Sequence, residues 1–134
     1  MLPLKRSILN SIVAHARAEL PCEACGYLAG KDGVVSTFLA LTNTDKAADH
    51  FSMDPAEQFA AVKAMRASGE KLIAVYHSHP ATPARPSAED IRLAFDPRIS
   101  YVIISLANPE AVEVKAYTIS QGEVFPEEII VIEE

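Results

Sequence analysis

Leu72-Ile73-Ala74-Val75-Tyr76 runs without a break into His77-Ser78-His79-Pro80, and Ser87-Ala88-Glu89-Asp90 follows after a short loop. The five apolar residues predict a short buried strand, because the run is continuous and ends at turn-forming residues. Pro80, Pro83 and Pro86 fall within the next stretch and stiffen it. Ser87 is a candidate N-cap with Asp90 three residues on, so a helix is expected from there through Phe95. Tyr101–Leu106 then predicts a second buried strand.

Outward from this stretch, helices and strands mix without a regular βαβ alternation. Leu4, Ile8, Ile12, Ala16 and Leu20 recur every four residues, which predicts an amphipathic helix over 3–20 that Pro21 ends. Residues 25–42 read as a hairpin around Lys31-Asp32-Gly33. Asn43–His50 is polar and loop-like. Asp54-Pro55-Ala56-Glu57 starts a second helix that carries Phe59, Val62 and Met65 and stops near Gly69. Val112–Ile119 and Glu123–Ile132 read as a last pair of strands around Gln121-Gly122. The pattern predicts one α+β domain spanning 1–134, with a curved mixed sheet and a few packed helices.

Composition excludes several classes. The chain has 134 residues, 49% of them apolar and 22% charged, which is ordinary for a globular protein of one domain. Its apolar runs fall far short of the ~20 residues that span a bilayer, so no membrane partner is expected. Met1 is followed too soon by Lys5 and Arg6 for an export signal. Twelve Lys and Arg stand against eighteen Asp and Glu, for a net charge of -6. Nucleic acid is therefore not expected as a partner, since binding it rests on neutralising phosphates. The acidic C-terminal residues Glu127, Glu128, Glu133 and Glu134 are expected to be a solvated end. Two cysteines are too few for a disulfide framework, so a reducing cytoplasm is the expected location.

Chemistry concentrates at His77 and His79. In extended chain, positions i and i+2 share one face, so the two imidazoles are able to chelate one ion. Asp90 lies in the first turn of the following helix, where side chains lean back toward the N-terminus. Two histidines and a carboxylate make a catalytic type of zinc set, with three protein ligands and one open position. A capping box from Ser87 to Asp90 accounts for those two residues equally well without a metal. A general base is also needed, and spacing alone does not choose among Glu23, Glu89 and the other carboxylates.

His77-Ser78-His79-Pro80, six residues, Ser87, two residues and Asp90 together resemble the H-S/T-H-P-x6-S-x2-D signature of the JAMM (MPN+) zinc metalloproteases. Glu23, in Pro21-Cys22-Glu23-Ala24-Cys25-Gly26, matches the upstream glutamate of that family, and the resemblance covers residues 4–120. The segment from Asn43 to Phe51-Ser52-Met53-Asp54-Pro55, ahead of the second helix, resembles its stand-alone bacterial branch. The resemblance implies a cytidine-deaminase-like fold and one Zn²⁺ held by His77, His79 and Asp90. It implies Glu23 as general base and Ser87 as the hydrogen-bond donor to the oxyanion. It also implies cleavage of a peptide or isopeptide bond, here after the C-terminal Gly-Gly of a ubiquitin-like, β-grasp sulfur-carrier protein. Alternatives are a zinc peptidase acting on cell-wall or other small peptides, and a non-catalytic interaction module on the same fold.

Cys22 and Cys25 match the P-C-x-x-C half of the zinc deaminase signature. The other half, H-x-E, is missing: His15 is followed by Ala16-Arg17. The cysteines are therefore expected to be small buried or half-exposed side chains. His15 is expected at the surface or edge of the first helix. His50 is a candidate lining for a substrate groove.

Overall fold

The computed structural model describes residues 1–134. In chain order it comprises β1 (Leu2–Lys5), α1 (Arg6–Ala18), β2 (Cys25–Lys31), β3 (Val34–Leu41), α2 (Pro55–Ser68), β4 (Lys71–His79), α3 (Ala88–Arg92), β5 (Ser100–Ser105), β6 (Glu113–Ser120), β7 (Glu123–Glu127) and β8 (Ile129–Ile132). All eight strands join one sheet in the order β7-β6-β5-β4-β2-β3-β1-β8. It is mixed: β4 pairs parallel with β5, and β1 parallel with both β3 and β8, while the other pairs are antiparallel. The α+β class and the mixed sheet agree with the sequence reading. No helix is long and apolar enough to cross a membrane.

The β2–β3 hairpin turns through Asp32 (φ 56°) and Gly33 (φ 76°). Two positive φ values in succession match the right-handed twist of the flanking strands. Residues 25–30 are buried without a break, because β2 is covered on both faces. Leu28 faces α1 through Ile8, Ile12 and Ala16. Cys25, Tyr27 and Ala29 face α2 through Ala61 and Met65. The same alternation in β4 sends Ala74 and Tyr76 toward α1, leaving Val75 and His77 for the opposite face.

Three expectations need correction. The first helix begins at Arg6, because Leu2–Lys5 forms a strand with Leu2 and Leu4 buried in alternation. Leu4 satisfies the four-residue stripe and the two-residue strand pattern at once, and Pro3 has no N–H for a helical turn. At the other end of that helix, Leu20 is exposed. The helix after Ser87 stops at Arg92, so Phe95 lies beyond it and is exposed. Asp96 precedes Pro97, a position that disfavours helical backbone. On α2, Ala61 and Met65 face the core and Phe59 is exposed, with the Lys63 ammonium 5.7 Å from its ring centroid.

The expected last strand, Glu123–Ile132, is two strands. β7 and β8 occupy opposite edges of the sheet, yet only Glu128 separates them. The sheet therefore rolls until its edges meet at one corner, where the Leu2 N–H donates to Glu128 O at 2.7 Å. Glu128, Glu133 and Glu134 are exposed, as expected of a solvated end, and Glu127 is half-buried. Glu127 accepts from the Ser100 hydroxyl, Glu133 pairs with Arg6, and Glu134 accepts from the Ser7 N–H.

Candidate metal centre

β4 delivers both histidines to the face opposite α1, at 4% and 5% exposure. The proline loop then returns the chain over them, and Ser87 caps α3. Its hydroxyl accepts from the Asp90 N–H at 3.0 Å, while its own N–H donates to Asp90 Oδ2 at 2.9 Å. That capping box fixes Asp90 facing the imidazoles. His77 Nε2, His79 Nε2 and Asp90 Oδ2 form a triangle with every edge 3.1 Å. The capping box is present, and it leaves the same Asp90 oxygen facing both imidazoles, so the cap does not exclude a role for Asp90 in the cluster.

The donor set fits a metal ion. His79 Nδ1 lies 2.9 Å from Pro83 O, so in the neutral ring Nδ1–H donates there and Nε2 presents a lone pair. That lone pair then faces the Asp90 carboxylate oxygen, an arrangement a cation between them satisfies and a hydrogen bond does not. A tetrahedral ion with bonds of ~2.0–2.1 Å separates its ligand atoms by about 3.3–3.4 Å, close to the observed edges.

Glu23 is 3% exposed, and its Oε1 is buried without a hydrogen-bond partner. Burial pushes its carboxyl up to about 8, opposed by attraction to His79 and reinforced by repulsion from Asp90 and Asp49. A buried carboxyl oxygen with no hydrogen-bond partner, its acidity shifted by burial and by His79 and Asp90, marks Glu23 as a candidate functional group. Burial also acts upward on Asp90, but with no ion present and the facing imidazoles taken as N–H donors, His77 and His79 outweigh it and hold that carboxyl well below the usual range. For His79, burial acts downward, while Asp90 and the Pro83 carbonyl outweigh it and raise the imidazole.

Two side chains hold Glu23 in place that the sequence left without a role. Ser78 is fully buried, accepts from the Ala24 N–H at 2.8 Å and donates its own N–H to Ala24 O at 3.0 Å. Asn43 donates from Nδ2 to Glu23 O and His50 O, both at 3.1 Å, and its Oδ1 accepts from Asp45 and Ser52. The serine between two metal-ligand candidates was a visible signal; an asparagine in a polar loop was not. Gly26 is needed for close approach, since a Cβ there would run into the Tyr76 ring and the Leu39 carbonyl.

The remaining candidates separate from this cluster. His50 is half-exposed between Asp45 and Asp49, and the hydrogen bond with Asp49 raises it. Its neighbour Phe51 lies tilted against His77, with ring centroids 5.0 Å apart. His15 is mostly buried, not at the surface: its Nδ1 meets the Tyr76 hydroxyl at 2.8 Å, and burial lowers it. Cys22 is half-buried and Cys25 buried, both as free thiols. A cleft of about 490 Å³ opens beside His77 and Asp90, between the start of α2 and the end of α3.

Residues 5–120 match the family described as prokaryotic homologs of the JAB domain. The CysO-cysteine peptidase of Mycobacterium tuberculosis is 36% identical over all of this chain and 93% of its own length. The desampylase of Haloferax volcanii is 32% identical over 78% of this chain and 80% of its own. The solution structure of a protein from Desulfitobacterium hafniense superposes with a TM-score of 0.92 at 51% identity, covering all of this chain and 94% of that one.

Proposed function

The chain belongs to the family of prokaryotic JAB-domain homologs, and from that premise we propose that it is a cytoplasmic zinc peptidase. Its proposed substrate is a ubiquitin-like carrier, cut at the amide bond that follows the C-terminal Gly-Gly. The observation that carries this reading is the partnerless buried Glu23 oxygen beside the triangle of His77, His79 and Asp90. The M. tuberculosis and H. volcanii relatives, whose names are those of a peptidase and a desampylase, support the hydrolytic class.

His77, His79 and Asp90 would hold one Zn²⁺. When bound, such an ion polarises a carbonyl and lowers the pKa of water to about 7. The protein's own groups do the rest. Glu23 Oε1 takes a proton from the attacking water and returns it to the departing nitrogen, so the nitrogen leaves as a neutral amine. The Ser87 hydroxyl accepts from the Asp90 N–H and still has its own proton to donate to the carbonyl oxygen as charge develops there. The Pro83 carbonyl holds the His79 tautomer, and Phe51 packs the His77 ring in place.

Metal analysis together with a cleavage assay tests the reading. A β-grasp protein ending in Gly-Gly plus a short extension is incubated with the zinc-loaded enzyme and weighed by mass spectrometry. Loss of the extension at the Gly-Gly boundary, abolished by a chelator and restored by zinc, is the expected result. An intact substrate with stoichiometric zinc present rules out this substrate class.

A further inference from the structure

The loop between His79 and Ser87 contains Pro80, Pro83 and Pro86. Proline has no N–H, so such a loop has few donors for its own carbonyls. Three successive carbonyls each take a side-chain donor from the sheet instead. The Ser105 hydroxyl donates to Thr82 O at 2.7 Å, and His79 Nδ1–H donates to Pro83 O at 2.9 Å. The Tyr117 hydroxyl donates to Ala84 O. The donors stand on three adjacent strands, β4, β5 and β6, and Ser105 is the register partner of His79.

Ser105 and Tyr117 are both buried. Ala84 is the one buried residue of the loop, and it packs with Tyr117, Ile103 and Ile119. Ile91 of α3 leans on the same cluster. α3 itself has five residues, none of them buried. So short a helix is not stable alone. The places of Ser87 and Asp90 therefore depend on how the chain before them is anchored. Thr82 O and Ala84 O also bracket Pro83 O, the acceptor that fixes the His79 tautomer.

We propose that Ser105 and Tyr117 are positioning residues of the metal centre. Through the Thr82 and Ala84 carbonyls they set where Ser87 and Asp90 stand against the imidazoles, and they keep Pro83 O on His79 Nδ1. The inference rests on the zinc-peptidase reading for what the centre does, and it adds two residues from outside the metal-ligand signature. Each hydroxyl donates to a loop carbonyl, so each acts through the loop.

The test reads the metal centre directly. Tyr117→Phe keeps the ring and removes the donor to Ala84 O, and Ser105→Ala removes the donor to Thr82 O. Ser100→Ala is the matched control: Ser100 is on β5 too, at the opposite end from Ser105, and its hydroxyl donates to Glu127. Zinc affinity is measured by competition with a chromophoric chelator. Groups that orient metal ligands typically change metal affinity or activity by about 10–100-fold. Tyr117→Phe and Ser105→Ala are each expected to bind zinc about tenfold more weakly than the parent, and Ser100→Ala to match the parent. With Co²⁺ as probe ion, the visible absorption bands are expected to shift in the first two variants and not in the control. On a Gly-Gly tail extended by a cysteine, kcat is expected to fall more than KM rises.

Zinc affinities and Co²⁺ spectra of both variants equal to those of Ser100→Ala overturn the inference. Either variant suffices for this comparison if the other does not fold. A parent that binds zinc and cleaves no such tail, with the two variants still weakened in zinc binding, retracts the peptidase reading and keeps the positioning role. A parent that binds no zinc retracts both.

Discussion

Asp90 Oδ2 accepts the Ser87 N–H at 2.9 Å and is also the oxygen that faces His77 and His79. One atom closes a helix cap and completes a donor triangle, so local helix chemistry aims the carboxylate. Ser87→Gly separates the two roles of the serine. Glycine caps nearly as well as serine, so stability is expected to change by only a few tenths of a kcal/mol. Loss of the hydroxyl is expected to lower kcat by about 10²–10³-fold with a modest change in KM. Full activity in a stable, zinc-loaded Ser87→Gly protein reduces Ser87 to a cap.

The triangle predicts cooperative loss of the metal. His77→Ala or His79→Ala leaves two protein ligands where a catalytic zinc has three. Each variant is expected to lose stoichiometric zinc by elemental analysis and to lose activity with it. Retention of one zinc per chain in both variants would place the ion elsewhere.

Glu23 makes a prediction about pH as well as rate. Glu23→Gln keeps the metal ligands and is expected to lose about 10²–10⁴-fold in activity. In the metal-free protein, burial raises the carboxyl from an ordinary 4.5 to about 8. Between those values the unfolded chain releases a proton that the folded chain keeps. Glu23 therefore destabilises the fold progressively as pH rises through that window, and the penalty levels off above about 8. Metal-free Glu23→Gln is expected to melt higher than the metal-free parent at pH 8, with the gap closing toward pH 5. A gap that is the same at both pH values contradicts the assignment.

How much of this was legible in the sequence follows from which signals are local. The spacing of His77, His79, Ser87 and Asp90 is local, and each residue stands where that spacing placed it. Glu23 was one of several carboxylates until the resemblance selected it, because its approach to His79 depends on β2 pairing with β4. The edge strands were hidden for a related reason. Leu2–Lys5 carries two apolar residues that fit a helix or a strand, and only β3 and β8 on either side decide between them. Ile129–Ile132 continues the apolar pattern of β7, and nothing local says that it crosses to the other edge.

The two cysteines are expected to differ in reactivity. Cys25 lies between β3 and β4 in the sheet, and burial pushes its thiol up to about 12. Such a thiol is not ionised at neutral pH and is not reached by reagent. Cys22 is half-buried. A thiol titration of the native protein is expected to count one fast group, with the second appearing only on denaturation. Two fast groups, or a Cys22–Cys25 disulfide under mild oxidation, contradict this placement.

Ser78 gives the sharpest separation between holding a residue and taking part in the reaction. It is fully buried between His77 and His79, but its hydroxyl points away from them and accepts the Ala24 N–H. Ser78→Ala leaves that N–H buried without a partner, which costs about 1–3 kcal/mol. The metal ligands are untouched, so zinc binding is expected to persist. Ala24 adjoins Glu23, so the loosened segment is expected to lower kcat more than it raises KM. Ser78→Thr keeps the acceptor oxygen and adds one methyl group in a packed site. Its kcat is expected to lie closer to the parent than that of Ser78→Ala, even if overpacking costs ~1–3 kcal/mol of stability. That ordering distinguishes a lost hydrogen bond from a general loss of packing: if activity simply tracks stability across the two variants, Ser78 does not position Glu23.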